Sequence, residues 1–265
     1  VGCDAMQIFA KSPRQWLGKP IDAGNARRFV HEAHDAGNSK IFTHTAYLIN
    51  LAAPDDVLWE RSIDALADEI TRGRVLGADG VVTHLGTHPT GESDEATARI
   101  AAALDEAFYR AGGPADSTTR LLLENTAGAG NLYGRSIEAI GRLMRACENQ
   151  HSHLGVCFDT CHGHASGIDV STDGAWDALL SEVDAQCGRG AIKLIHANDC
   201  MFEFGSRRDR HAWIGEGTIG IEGFAAMMRR EELAGVSVIT EMPGEVPEKD
   251  EVNIALLKAL RMGQV

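Results

Sequence analysis

Seven short apolar runs set the frame for this chain. They lie at 6–10, 40–44, 80–84, 121–124, 155–159, 192–196 and 236–241, recurring roughly every 35 to 40 residues, and each is followed by an amphipathic helical stretch. That alternation is the pattern of repeated βα units around a parallel sheet. The runs are almost continuously apolar rather than alternating, as expected of strands covered on both faces. The helix after the second run shows its signals well. Asp55 and Asp56 open it, where carboxylates cap free amides and meet the positive helix end. Leu58, Ile63, Leu66, Ile70 and Leu76 make its apolar stripe, and Gly77 closes it in the left-handed position. The 265 residues match the size of one α/β barrel. No Pro-, Gly- or Ser-rich linker divides them, and 112–119 reads as a loop rather than a boundary, so a single domain over 1–265 is expected. Seven units are one short of the eight that a closed barrel needs.

Six of the runs end in, or directly precede, a residue able to ligate a metal: His44, His84, Glu124, Asp159, His196 and Glu241. The C-terminal strand ends of a parallel barrel face one shared pocket. A single polar strand end is ordinary. Six that converge without a cation would cost on the order of several kcal/mol.

A further stretch, 196–217 (HANDCMFEFGSRRDRHAWIGEG), adds Asp209 and His211. Two residues apart, they lie on one side of an extended segment, an arrangement that grips a metal ion. Asp159 and His162 are three apart, one at a strand end and one in the first turn of the next segment. The inventory is five His, two Glu and two Asp, with no Cys. That set suits zinc, with manganese as second choice at one or more positions. Nine ligands exceed one zinc; at about four or five per ion, with water and a bridging carboxylate such as Glu124, they fit three. Clustered divalent ions point to hydrolysis of a phosphate ester.

Other segments leave alternatives open. Arg14, in SPRQW at 12–16, either meets phosphate or is a solvated loop residue; Trp16 is core or contact. Tyr47 and Leu48 follow His44 on a loop, where an aromatic-aliphatic pair can wedge into stacked bases or simply pack a helix start. His88 holds substrate or faces water, and His164 has no assigned role. Gly128 and Gly130 allow close backbone approach to a ligand or form a plain turn. Pro243 followed by Gly244 predicts a turn just past Glu241.

A formal net charge of -13 argues against polyanion binding through the overall field. Bound cations and the local cluster Arg207, Arg208 and Arg210 would counter it locally for a polyanionic partner. The six cysteines form no C-x-x-C pair, which fits reduced thiols in a cytoplasmic protein. No membrane-length apolar run or signal peptide is visible, so no membrane partner is expected.

The blocks PRQW, H-x-x-YLINLA, ENTAG-x-G, DTCH and GSR-x-DRH-x-x-IGEG-x-IG, in this order from about Gly2 to Glu241, resemble the endonuclease IV family of apurinic/apyrimidinic endonucleases. The resemblance implies a TIM (β/α)8 barrel with three zinc ions. It implies cleavage, through a bridging hydroxide, of the phosphodiester 5′ to abasic sites in double-stranded DNA. A 3′-hydroxyl is left for base excision repair, and blocked 3′ ends are trimmed. One zinc would take His44, His84 and Glu124. A second would share Glu124 and add Asp159, His196 and Glu241, and the third would take His162, Asp209 and His211. Glu124 and Glu241 would be the catalytic carboxylates. Arg14, Tyr47 and Leu48 match the DNA-penetrating loop positions. A monomer is expected.

Two departures stand out. The family opens with a strand and helix carrying G-x-H-x-S-x-x-GG, without counterpart here, which implies a barrel missing its first βα unit. After HxND the family has a small residue and then Lys; this chain has Cys200 and Met201. Two other readings remain. One is a divalent-metal sugar isomerase or epimerase of the xylose-isomerase-like barrel group, which has no need of an Asp209–His211 loop. The other is an inactive truncated DNA binder.

Overall fold

The computed structural model describes residues 2–113, 118–147, 151–242, 244 and 246–264. Nine strands occur among them: β1 (Ala5–Phe9), β2 (Lys40–His44), β3 (Gly80–Thr83), β4 (Arg120–Glu124), β5 (Leu154–Asp159), β6 (Ile192–His196), β7 (Asp199–Cys200), β8 (His211–Ala212) and β9 (Ser237–Ile239). Eight α-helices follow or separate them: α1 (Ala23–Asp35), α2 (Asp56–Val75), α3 (Asp94–Arg110), α4 (Ile137–Ala146), α5 (Thr160–Ser166), α6 (Asp173–Cys187), α7 (Gly220–Met228) and α8 (Pro247–Arg261). Seven strands form one sheet in the order β1-β2-β3-β4-β5-β6-β9, every neighbouring pair parallel. This is the βα barrel architecture expected from the spacing of the runs. The two-residue strands β7 and β8 pair antiparallel outside it, an addition that the apolar runs do not signal.

Local chemistry sets the helix starts. Asp22, Asp55, Ser93, Ser136, Asp159 and Thr172 each accept a backbone N–H from the first turn of α1 to α6. On α2, Ile63, Leu66 and Ile70 are buried as the stripe requires, and Gly77 takes a positive φ just beyond the C-cap.

The apolar core has two main parts. A large layer between helices and sheet includes Leu66, Leu104, Ile140, Phe158, Trp176 and Phe224. A smaller cluster fills the inside of the sheet with one residue per strand: Phe42, Val82, Leu122, Cys157, Leu194 and Ile239, joined by Ala5. Side chains two apart on a strand share a face. The residue two positions after each of these therefore points inward at the C-terminal end, which lifts His44, His84, Glu124, Asp159, His196 and Glu241 above the inner cluster.

Some boundaries differ from those the sequence suggests. The first strand is Ala5–Phe9, and the last covers only Ser237–Ile239, so Glu241 lies two residues past it. Its N–H leaves the ladder to donate to Asn198 Oδ1 at 2.7 Å. The predicted turn at Pro243 and Gly244 falls outside the described residues at Pro243, as does the centre of the predicted 112–119 loop. Strands β1 and β9 are the two edges of the sheet. A cleft of about 780 Å³ opens between them and α8. No described helix is long and apolar enough to cross a membrane.

Candidate metal centre

At the C-terminal end of the strands, all nine ligand candidates fall into three groups, the first two sharing Glu124, with the ligand atoms of each within 4.8 Å of one another; two further groupings bring in Cys157 and Cys161. His44, His84 and Glu124 form one. Glu124, Asp159, His196 and Glu241 form the second, and His162, Asp209 and His211 the third. Above them is a pocket of about 410 Å³ lined by Gln7, Phe9, Tyr47 and Met242 among others.

Glu124 is the hub. Its Oε2 lies 3.1 Å from His44 Nε2 and 3.4 Å from His84 Nε2. Its Oε1 lies 3.0 Å from His196 Nδ1 and 3.5 Å from His162 Nδ1. Asp159 is fully buried at the start of α5. Asn198 Nδ2 donates to its Oδ2 at 2.6 Å, and Asn125 exchanges two hydrogen bonds with its backbone. These two asparagines directly follow Glu124 and, after Ala197, His196. Both lie inside the motifs quoted above, yet neither carries a signal of its own there.

The third group depends on a different anchor. Asp199, buried, accepts from Cys200 N and Ile219 N through Oδ1, and from Gly215 N and Gly217 N through Oδ2, all within 2.8–3.0 Å. A Cβ on Gly217 would lie 2.4 Å from Asp199 Oδ1, so only glycine lets that amide approach. The carboxylate thereby pins both ends of the loop and holds the β7–β8 pair, in which Cys200 faces His211. Asp209 Oδ2 lies 3.2 Å from His162 Nε2, and its Oδ1 3.4 Å from His211 Nε2.

Three histidines are aimed by backbone carbonyls. His44 Nδ1 is 2.8 Å from Thr45 O, His162 Nδ1 2.9 Å from Asn125 O, and His211 Nδ1 2.8 Å from Glu241 O. A carbonyl only accepts, so each Nδ1 carries a proton and Nε2 is the nitrogen turned to the pocket, where the neutral ring would offer its lone pair.

The charges need cations. Four carboxylates gather here, two of them buried, a density that is costly unless compensated. Without metal, the histidines supply the balance. Burial pushes Glu124 up, but His84, His196 and His44 pull it further down, well below the usual carboxylate range. Glu241 is likewise lowered, against burial, to about 2, mainly by His196. Burial alone would lower His162, yet Asp159, Asp209 and Glu124 raise it to about 10. Buried His211 Nε2 has no hydrogen-bond partner. An orphaned lone pair beside two carboxylates fits a metal ligand, and the N/O donor set fits zinc.

The remaining candidates separate. Arg14 is exposed on the β1–α1 loop. Tyr47 is exposed and Leu48 half-buried on the β2–α2 loop. Phe9 packs edge-on against both His44 and Tyr47, with ring centroids 5.5 Å apart in each case. The buried side chain of Lys11 ties the two loops together: Nζ donates to Trp16 O and Asp68 Oδ2, both at 2.8 Å, and lies 3.3 Å from Glu69 Oε1. Glu69 accepts from Ala46 N at 3.1 Å, and Tyr47 N donates to Pro13 O at 3.1 Å. Trp16 is half-buried beneath Arg61. His88 and His164 are buried structural groups, bonded to Thr90 Oγ1 and Thr218 Oγ1. Gly128 approaches the side chain of Arg135 rather than the pocket.

Barrel and pocket together define a class, and the sequence comparison agrees: a family model described as the xylose isomerase-like TIM barrel matches residues 1–261. A probable endonuclease 4 of Chloroflexus aggregans is 43% identical over 262 residues, covering 98% of this chain and 90% of that protein. Another, of Methanoculleus marisnigri, is 38% identical over 259 residues, covering 98% and 90%. The crystal structure of endonuclease IV from Thermus thermophilus superposes with a TM-score of 0.85 at 33% identity, over 99% of this chain and 90% of that one. A D-tagatose 3-epimerase-like protein superposes with a TM-score of 0.72 at 19% identity, which shows a shared fold. The chain belongs to the endonuclease IV family of apurinic/apyrimidinic endonucleases.

Proposed function

We propose that the protein is a zinc-dependent DNA-repair endonuclease. It hydrolyses the phosphodiester 5′ to abasic sites in double-stranded DNA, leaves a 3′-hydroxyl, and also accepts blocked 3′ ends. It works as a cytoplasmic monomer in base excision repair. The observation that carries this reading is the third ligand group. His162, Asp209 and His211, gathered by the Asp199-pinned loop, add a complete ligand set beyond the one or two ions that a sugar isomerase or epimerase uses.

Three zinc ions fit the donors. His44, His84 and Glu124 would hold one; Glu124, Asp159, His196 and Glu241 a second; and His162, Asp209 and His211 the third. Manganese is an alternative at one or more of these positions. When bound, such ions lower the pKa of water to give a nucleophile and neutralise charge on the phosphoryl and leaving oxygens. The chain's own residues do the rest. Glu124, with one oxygen toward each of two groups, fixes their separation. Arg14 meets a phosphate of the duplex. Tyr47, backed by Phe9, and Leu48 wedge beside the abasic nucleotide, whose missing base makes it the easiest to displace from the stack. Lys11 and Glu69 hold both loops at the pocket rim so that phosphate contact and wedge act together.

The test is incision of a duplex carrying one abasic site. A chelator-sensitive cut on the 5′ side is expected. A protein that binds this duplex without cutting it would be the inactive binder, and one with one or two metals that epimerises sugars would be the barrel's other chemistry.

A further inference from the structure

The inward ring at the pocket has a seventh member. Ala5 of β1 joins the inner apolar cluster with Phe42, Val82, Leu122, Cys157, Leu194 and Ile239. Two residues further along each strand path stand His44, His84, Glu124, Asp159, His196 and Glu241. The same step on β1 leads to Gln7, which lines the pocket.

Gln7 touches two of the ligand candidates at once. Its Nε2 lies 2.8 Å from Glu241 Oε1, and its Oε1 lies 2.9 Å from His196 Nε2. The chemistry of the partners fixes both orientations. An ionised carboxylate only accepts, so the amide nitrogen must face Glu241. The amide oxygen then faces His196, and an amide oxygen only accepts, so His196 Nε2 carries a proton. Nδ1 is the nitrogen left to face the ligand candidates, 3.0 Å from Glu124 Oε1 and 3.2 Å from Glu241 Oε2, and its lone pair is open to an ion once its own proton leaves.

His44, His162 and His211 are aimed by backbone carbonyls through Nδ1 and present Nε2. His196 is turned the other way round and is aimed by a side chain. A carbonyl cannot be removed by substitution, but an amide side chain can. Gln7 also reaches from edge strand β1 to the segment beyond edge strand β9, where, among the described residues, no strand pairing joins the two edges.

We propose that Gln7 is the positioning residue of the Glu124–Asp159–His196–Glu241 metal group. It fixes the Nε2–H form of His196 and turns Glu241 Oε2 to the ion, across the unpaired edges of the sheet. The proposal rests on the zinc reading above. Groups that orient metal ligands in this way typically contribute about 10–100-fold to metal affinity.

The experiment compares wild type with Gln7→Leu, which keeps the shape and loses both hydrogen bonds, and Gln7→Glu, which keeps the acceptor for His196 and loses the donor to Glu241. Zinc alone is titrated against a competing chelator. The imidazole N–H signals of the zinc-loaded proteins are followed by ¹⁵N NMR. Wild type is expected to bind three zinc ions and to show a solvent-protected Nε2–H on His196. Gln7→Leu should bind one of the three roughly 10–100-fold more weakly, leave the other two unchanged, and lose the protected signal. Gln7→Glu should keep the signal while still weakening that ion. Three wild-type affinities in Gln7→Leu, or equal weakening of all three, would overturn the role of Gln7. A wild-type protein without three zinc sites would instead overturn the zinc reading itself.

Discussion

Asp159 uses its two carboxylate oxygens for different tasks with respect to His162. Oδ1 accepts the His162 backbone N–H at 2.8 Å and so caps α5, while Oδ2 turns toward the pocket, 3.9 Å from the His162 ring. One side chain therefore starts the helix that carries one ligand candidate and is itself another. The tasks can be separated. Asparagine caps about as well as aspartate but brings no charge. Asp159→Asn should keep the fold, read by circular dichroism, while bound zinc falls by about one ion and incision falls at least about 100-fold. Full zinc content in this variant would place Asp159 outside the ligand set.

On the zinc assignment proposed above, protons and zinc would compete at His162. In the metal-free protein its ring holds a proton up to about pH 10, because Asp159, Asp209 and Glu124 outweigh the effect of burial. The ordinary value is 6.5. Its contribution to metal-free stability is thus complete below pH 6.5 and lost as pH rises through about 10. Zinc requires the neutral ring, so uptake releases this proton. Apparent zinc affinity should climb with pH over that window, by about tenfold per pH unit from this ring. Proton release measured calorimetrically in buffers of different ionisation heat checks it; a pH-independent affinity would contradict it.

The staple under the two loops gives a third prediction. Lys11→Met leaves Glu69 buried with only the Ala46 N–H, while Asp68 keeps Arg72 at 2.9 Å. Destabilisation of about 3 kcal/mol is expected by urea unfolding. Zinc content should be unchanged, and KM for the abasic duplex should rise more than kcat falls. Unchanged KM would detach this network from DNA handling.

Much of the fold, and the residues that gather at the candidate site, are legible in the sequence. The even spacing of apolar runs exposes βα units, because a buried parallel strand and an amphipathic helix leave different periodicities. His44, His84, Glu124, Asp159 and His196 are conspicuous as polar residues closing apolar runs. How these side chains are aimed is not legible. Gln7 sits inside an apolar run, where one amide reads as tolerated polarity; its role depends on Glu241, 234 residues away. Asn198 and Asp199 follow a ligand and read as loop. The β7–β8 pair is two residues per strand, too short for any periodic signal. Edge strand β9 ends earlier than its apolar run because Asn198 captures the Glu241 amide, a tertiary contact.

Glu124 offers the sharpest single substitution. Glu124→Gln keeps the volume but removes the charge that faces His44, His84, His162 and His196. Incision should drop by roughly three orders of magnitude or more, equivalent to about 4 kcal/mol of transition-state stabilisation, with little change in the circular dichroism spectrum. Turnover near the wild-type rate would remove Glu124 from the mechanism.

Whether three zinc ions in this pocket hydrolyse DNA at abasic sites is decided by one assay. An end-labelled duplex bearing one abasic site is incubated with the protein, and zinc is quantified on the same sample. The expected result is a single cut 5′ to the lesion, a 3′-hydroxyl on the product, about three zinc ions per chain by ligand count, and loss of the cut with chelator. No cut from protein that carries its full zinc, or one or two metals per chain without incision, would contradict it.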